Sequence, residues 1–311
     1  MALPESFHEL AGQVRNWGRW GDDDERGTLN LIDEAAVRRG AAAVRRGRSF
    51  SLAIPLSQDG PQVGAIPGRV NPLRSMTMLD TALSGDEAGV RCNDDVVVMG
   101  LQSATHWDSL AHVSYGGVIW NGFPAWSVNA QAGATRCGID KVGAVVSRGV
   151  LLDVARTKGI DRLAGATPIT ADDLDAAAAA AAVEVVPGDI VLVRTGQMQL
   201  LRQPSPDRVG YLFPAPGLST SSVPWFRHHD VAAVAIDTMT FEVYPWEDDK
   251  VAMPVHLLHL VDMGMIQGQN WNLEELAADC AEDGVYEFLL EASPEPFVGG
   301  LGGPVHPVAV K

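Results

Sequence analysis

Three short runs dominate the hydrophobic pattern of the chain: Val150-Leu151-Leu152-Asp153-Val154, Ile190-Val191-Leu192-Val193-Arg194 and Val231 to Ile236. Each is β-branched, nearly continuous in apolar character and too short for a buried helix, which predicts strands covered on both faces. Between the first two lies Ile169-Thr170-Ala171-Asp172-Asp173-Leu174, followed by an alanine run from 176 to 182. Thr170 three residues ahead of Asp173 forms a near capping box, and the alanines have high helix propensity. Pro187-Gly188-Asp189 then stops the helix and turns the chain into the next strand. Strand and helix alternate through the middle of the protein, which predicts the α/β class.

The flanks carry weaker signals. Ser49 to Leu56 alternates in polarity and stops at Gln58-Asp59-Gly60-Pro61, while Val96 to Gly100 follows Asn93-Asp94-Asp95, so both read as strands with turn borders. Asp33 is placed to cap a helix running from Glu34 to Arg46. Pro204 to Pro216 is dense in turn formers and reads as a loop. Pro254 to Gly264 reads as one helix ended by its glycine, and Leu273 to Ala281 as another. There is no internal repeat and no long linker. The whole chain, 1–311, is therefore expected to be one domain, with 1–48 an N-terminal arm and helix packed onto it.

Composition narrows the partners. With 311 residues, 46% of them apolar, the chain is long enough to bury a substantial core. Its formal net charge of −16 repels phosphate backbones and anionic lipid, which argues against nucleic acid and membrane surfaces and leaves a small-molecule substrate. Met1 to Trp20 carries Glu5, His8, Glu9 and Arg15 and does not read as a signal peptide, and no apolar stretch approaches the ~20 residues of a membrane span. The expected location is the cytoplasm. Cys92, Cys137 and Cys280 are too scattered for a CxxC pair and are expected to be reduced structural thiols.

The segment Gly100-Leu101-Gln102-Ser103-Ala104-Thr105-His106-Trp107-Asp108-Ser109-Leu110-Ala111-His112 is the richest in chemistry. In extended backbone alternate residues share a face, which would direct Gln102, His106 and Asp108 into one pocket. Imidazole nitrogen and carboxylate oxygen together suit a divalent cation such as zinc or manganese. The same spacing also describes an ordinary hydrogen-bonded His–Asp pair, so it leaves the choice open.

At these residues the chain resembles the cyclase superfamily of metal-dependent hydrolases, which includes bacterial kynurenine formamidase and isatin hydrolase. The superfamily signature is HxGTHxDxPxH. Thr105, His106, Asp108 and His112 match it, whereas Gln102, Ala104 and Leu110 stand where it has histidine, glycine and proline. Further similarity lies in Asn16-Trp17-Gly18-Arg19-Trp20-Gly21, Gly27-Thr28-Leu29-Asn30-Leu31, Tyr115 with Asn121-Gly122, Pro187-Gly188-Asp189, Arg194-Thr195-Gly196 and Gly303-Pro304-Val305-His306-Pro307.

The resemblance implies a swivelling β/β/α fold with a mixed central sheet, assembled as a homodimer or homotetramer. It implies a divalent ion, Mn2+ or Zn2+, on His106, Asp108 and His256. Gln102 and Gln269 occupy the positions of a histidine and a glutamate ligand, and each keeps an amide oxygen to offer. His112 and Asp108 would carry proton transfer. The implied reaction is hydrolysis of an amide or ester bond in a small, cyclic or aromatic substrate: a cyclic amide, a lactone or an aryl formamide. Two alternatives stand beside it. One is a non-hydrolytic cyclase, dehydratase or isomerase using His112 and Asp108; the other is a binding protein with a degraded metal site, suggested by the two glutamines.

The remaining candidates have plainer readings. His259, one turn after His256, is expected to be exposed or to support the site from behind; His228-His229 reads as a surface turn and His306 as structural. Trp17, Trp20, Trp107, Trp120 and Trp126 are expected mainly to pack, although they could line an aromatic pocket. Asp237 and Glu242 follow a buried strand, and an ion pair with Arg194 would account for either one.

Overall fold

A computed structural model describes residues 3–85 and 89–311. Its centre is a nine-stranded mixed sheet. In chain order the strands are β1 Ser49–Ser51, β2 His106–Asp108, β3 Val146–Asp153, β4 Ile190–Arg194, β5 Ala233–Ile236, β6 Gln267–Gln269, β7 Glu287–Glu291, β8 Gly302–Pro304 and β9 Val308–Val310. Their order across the sheet is β1-β9-β7-β3-β4-β5-β6-β2-β8. The four strands β3 to β6 are parallel, and every pairing outside them is antiparallel.

The parallel strands are where the apolar runs predicted them. Val150 to Leu152, Ile190 to Val193 and Ala233 to Ile236 are fully buried, as strands covered on both faces must be. Ahead of β4, the helix Ala171–Ala180 begins with a reciprocal cap: the Asp173 amide donates to Thr170 Oγ1 at 3.3 Å and the Thr170 amide to Asp173 Oδ2 at 3.0 Å. Near the N-terminus, the helix Glu34–Ala42 is capped by Asp33, which accepts from the Ala36 amide at 2.8 Å, and it packs on β3 and β7. None of the described helices is long and apolar enough to cross a membrane.

Three elements differ from the expected boundaries. The strand from Ser49 stops at Ser51 instead of Leu56, because the Ile54 amide is drawn to Thr105 Oγ1 at 2.9 Å and Pro55 has no amide to donate. Asn93-Asp94-Asp95 is not a turn. It lies inside a long strand, Arg91–Val98, which forms an antiparallel hairpin with Leu73–Ala82. There the Asn93 side chain accepts from the Asp80 amide at 2.8 Å and fills an irregularity in the ladder. The helix from Pro254 runs as an α turn through His256 and continues as a π-helix over Leu257–Met263 before Gly264, at φ +71°, ends it.

The last turn of that helix is fastened by the N-terminal arm. Trp17 Nε1 donates to the Val261 carbonyl at 2.7 Å, the Asn16 amide to Asp262 at 2.9 Å, Asn16 Nδ2 to Met263 at 3.0 Å and the Thr28 amide to Gly264 at 2.8 Å. These are carbonyls that a helix end leaves without partners of its own. The arm thereby fixes the element that carries His256.

Candidate active site

Strand β2 builds the site. It lies between β6 and β8, with His106 opposite Gln269 and Asp108 opposite Gln267. Pleating sends His106, Asp108, Gln267 and Gln269 to one face and Trp107 to the other. Trp107 is fully buried, donates from Nε1 to the Ala292 carbonyl at 2.7 Å and meets Trp271 edge-on. Gly268 faces this pair: a Cβ there would stand 2.5 Å from Trp271 Nε1 and 2.9 Å from Trp107 Cζ3, so only glycine lets β6 lie against the indoles.

On the site face, His106 Nδ1 donates to the Ala104 carbonyl at 2.7 Å, which fixes the tautomer and leaves Nε2 with a free lone pair. That Nε2 and Asp108 Oδ1 are both buried, lie 3.4 Å apart and have no protein hydrogen-bond partner. His112 Nε2 stands 3.8 Å from the same Oδ1. The other carboxylate oxygen, Oδ2, accepts from Gln269 Nε2 at 2.6 Å and from Gln267 Nε2 at 3.4 Å, and lies 3.8 Å from His256 Nε2. Burial opposes the charge on Asp108, but His112, His106 and His256 around it prevail and hold its carboxyl well below the usual carboxylate range. Burial also pushes the His112 pKa down, against the pull of Asp108, so the ring is neutral at neutral pH.

The expected site residues thus divide around the two oxygens of Asp108. His106 and His112 attend Oδ1. Gln269 and His256 attend Oδ2 and also meet each other, Gln269 Nε2 lying 3.1 Å from His256 Nε2. Gln102 is not part of an extended segment with His106, because 100–103 is a turn closed by the Ser103 amide on the Gly100 carbonyl at 3.0 Å. Its amide nevertheless comes back to His112, 3.3 Å from Nδ1. Gly302 makes room for this, since a Cβ there would meet Gln102 Cγ at 2.9 Å.

Sequence reasoning missed Glu242 as part of the site. Its buried carboxylate does not pair with Arg194, whose partners are Asp153 at 2.8 Å and Glu274 at 2.9 Å. Glu242 instead accepts from the Val255 amide at 2.8 Å, the His256 amide at 3.4 Å and His256 Nδ1. It caps the helix start and holds the His256 proton on Nδ1, which turns the Nε2 lone pair toward the Gln269 amide. A carboxylate fourteen residues before a helical histidine was the available signal. Asp237 serves the scaffold, accepting from the Thr195 and Gly196 amides at 2.9 and 2.7 Å.

The other histidines and the tryptophans fall away from the chemistry. His259 is fully buried, which removes the exposed alternative, and packs edge-on against Phe226 and Phe241 with no protein partner for either nitrogen. His228 and His229 end the helix Val223–His228, with His229 stacked on Trp225, and His306 meets Ser51 Oγ at 2.8 Å. Trp107 and Trp120 are core residues and Trp126 is exposed. All three cysteines are free thiols; burial raises the pKa of Cys137 and Cys280, which makes both inert.

Bonds of 2.0–2.1 Å to a tetrahedral zinc place donor atoms about 3.3 Å apart. The orphaned His106 Nε2 and Asp108 Oδ1 meet that spacing, with His112 Nε2 slightly beyond it, so the donors present fit a divalent cation. They form only part of a shell: among the described residues no group of three or more His, Cys, Asp or Glu side chains is placed to hold a metal ion.

Comparison with known proteins gives a consistent picture. The family model described as Cyclase matches residues 50–243. The crystal structure of a novel cyclase shares 37% identity at a TM-score of 0.88, covering 97% of this chain and 99% of that one. Isatin hydrolase A from Labrenzia aggregata, bound to benzyl benzoate, is 18% identical with a TM-score of 0.62 over 86% of this chain and 94% of its own. A predicted metal-dependent hydrolase from Bacillus stearothermophilus is 16% identical with a TM-score of 0.52, covering 84% and 97%. No curated protein matches the chain significantly.

Proposed function

The chain belongs to the cyclase family, and on that premise we propose that it is a metal-dependent hydrolase of a small cyclic or aromatic amide or ester. The observation that carries this reading is the orphaned pair, His106 Nε2 and Asp108 Oδ1, buried side by side with His112 at the solvent edge.

His106 and Asp108 would hold the cation, Mn2+ or Zn2+, whose chemistry when bound is to polarise a carbonyl and acidify a water. His112 takes and returns the proton at Nε2. Its ring is neutral at neutral pH and its side chain is 18% exposed, while His106 and Asp108 are sealed. Gln102 meets the far nitrogen of that ring, its amide Nε2 lying 3.3 Å from Nδ1, and holds the imidazole without adding charge. Gln269 and Gln267 secure Asp108 Oδ2, so the orientation of Oδ1 does not depend on the ligand. Cyclic amides of the isatin type, lactones and aryl formamides are the substrates to screen.

The test pairs metal content with turnover. Elemental analysis of the protein purified without chelator should find about one manganese or zinc per chain, lost in His106→Ala and Asp108→Asn together with hydrolysis. His112→Ala should keep the metal and lose about 10²–10⁴-fold in rate. Full hydrolysis by His106→Ala would overturn the assignment.

One observation favours a second reading. The Gln269 amide spans Asp108 Oδ2 and His256 Nε2, so half of the expected ligand set is satisfied by hydrogen bonds. A metal-free isomerase or dehydratase would use that arrangement with His112 and Asp108 as acid and base. Turnover in chelator without incorporation of oxygen from labelled water would identify it.

The proposal includes self-association as a homodimer or homotetramer through the hairpin Leu73–Ala82 and Arg91–Val98. The hairpin leaves both faces in solvent, with Leu79 73%, Val97 51% and Val98 62% exposed. A lone two-stranded ribbon is marginal in water, and a partner laid against its exposed aliphatic residues would cover them.

A further inference from the structure

His106 has two hydrogen-bonding choices, and the fold enforces the less obvious one. As an Nε2–H tautomer the ring would aim its proton at Asp108 Oδ1, 3.4 Å away, and satisfy two buried atoms that have no protein partner. Its proton lies instead on Nδ1 and goes to the Ala104 carbonyl at 2.7 Å, which leaves an imidazole lone pair facing a carboxylate oxygen. Two acceptors so placed repel each other, so the Ala104 carbonyl must itself be held firmly against the ring.

Asn270 holds it. This residue follows Gln269 at the end of β6 and leaves the strand at φ +59°, a left-handed conformation that asparagine tolerates better than most residues. The turn commits every polar group it has. The Asn270 amide donates to the Thr238 carbonyl at 3.0 Å, and the Asn270 carbonyl accepts from Thr105 Oγ1 at 2.6 Å. Nδ2 donates to the Ala104 carbonyl at 2.9 Å, and Oδ1 accepts from the Tyr211 hydroxyl at 2.7 Å. The reverse amide orientation would set Oδ1 against the Ala104 carbonyl, oxygen to oxygen, so the two neighbours together fix which way the amide points.

Tyr211 stands on the short helix Arg208–Leu212, whose start is capped by Asp207 on the Gly210 amide at 2.9 Å, and its hydroxyl also lies 3.3 Å from the Asp237 carbonyl. A chain of hydrogen bonds thus runs from that helix through Asn270 and the Ala104 carbonyl to the imidazole. Tyr211, Asn270 and His106 have no exposed surface and Ala104 has 1%, so bulk water substitutes for none of the links. The ladder does not depend on the chain, because β2 is paired on both edges through 106–108.

We propose that Asn270 and Tyr211 are positioning residues for His106. They hold the Ala104 carbonyl where it keeps the ring in its Nδ1–H form, and so keep His106 Nε2 and Asp108 Oδ1 as a pair of acceptors for a cation. The tautomer rests on the hydrogen bonds alone; its consequence for a metal rests on the hydrolase reading. With the chain broken, the proton moves to Nε2 and closes the pair into a His106–Asp108 hydrogen bond, which cation binding must then undo.

Nitrogen-15 NMR of the metal-free protein, labelled on histidine, reads the tautomer, with the His106 signal identified by its loss in His106→Ala. Wild type should show Nδ1 protonated and Nε2 bare. Tyr211→Phe removes one hydroxyl at nearly constant shape, and Asn270→Gly removes the amide while allowing the left-handed turn. Both should move His106 toward the Nε2–H form, Asn270→Gly further. Zn2+ affinity, titrated calorimetrically on the folded proteins, should fall by about 10- to 100-fold, the usual effect of removing what orients a metal-binding histidine. A lower melting temperature with the wild-type tautomer retained in both variants would make the chain a structural brace and overturn the proposal. If Asn270→Gly does not fold, an unchanged His106 signal in Tyr211→Phe overturns it alone. The two readings fail separately. Tautomer exchange in the variants of a protein that binds no metal and hydrolyses no amide or ester sinks the hydrolase and keeps the positioning role. The wild-type tautomer in both variants, with metal-dependent hydrolysis intact, does the reverse.

Discussion

Glu242 grips His256 twice, accepting both its backbone amide and its Nδ1–H, so that one carboxylate starts the helix and chooses the tautomer of the ring. The consequence is measurable. Glu242→Ala strands the amides of Val255 and His256 in a buried setting and should destabilise the protein by about 3 kcal/mol in denaturant titration. Glu242→Gln keeps an acceptor for the amides and should lose less stability, but still lose turnover, because the tautomer is no longer enforced.

Gln269 offers a test by reversal. Gln269→Glu places a second carboxylate within hydrogen-bond reach of Asp108 Oδ2. Without metal, two buried carboxylates repel, and the melting temperature in chelator should fall below that of wild type. With Mn2+ or Zn2+ the added anion should tighten binding by about tenfold or more and raise the melting temperature above it. Opposite shifts in the two conditions are the signature; equal shifts would place Gln269 outside the metal's reach.

His259 gives the protein an acid sensitivity of known sign. Burial holds its pKa down at about 3. The unfolded chain protonates it near 6.5, so between these values the unfolded state binds one more proton and stability falls as pH falls. His259→Met removes both unpartnered nitrogens from the aromatic pocket of Phe226 and Phe241. The variant should equal or exceed wild type near neutrality and lose about 1.4 kcal/mol less per pH unit below pH 6 in chemical denaturation.

The hairpin predicts an assembly phenotype. Leu79→Lys combined with Val97→Lys should shift the protein toward monomer in light scattering, with the far-ultraviolet circular dichroism spectrum retained. An unchanged mass would remove the hairpin from the interface.

How much of this was legible depended on how locally each feature is encoded. Strand β4 lies where its four apolar residues predict it, and the Thr170–Asp173 and Asp33 caps were readable because all their atoms come from adjacent turns. The long hairpin was hidden: Asn93, Asp94 and Asp95 disfavour strands, and a ribbon exposed on both faces shows no alternation. His106 and Asp108 were legible as a pair through the pleat. The role of Gln102 was not, since it reaches His112 from a turn with the help of Gly302. Glu242 comes from a loop far from the motif, and only the packed sheet brings its charge to His256. The burial of His259 was not legible, because a polar ring with no protein partner is a poor expectation for a core, although the π-helix turns it inward.

The register of β2 against β6 has a wider meaning. Positions 106, 108, 267 and 269 form a square of side chains on main chain that is paired on both edges of β2 and braced from behind by Trp107, Gly268 and Trp271. Nothing in that bracing depends on what the four side chains are. Histidine, carboxylate and amide can be exchanged at these corners without asking the backbone to move. The sheet is a fixed socket board, and the side chains at its four corners are interchangeable plugs.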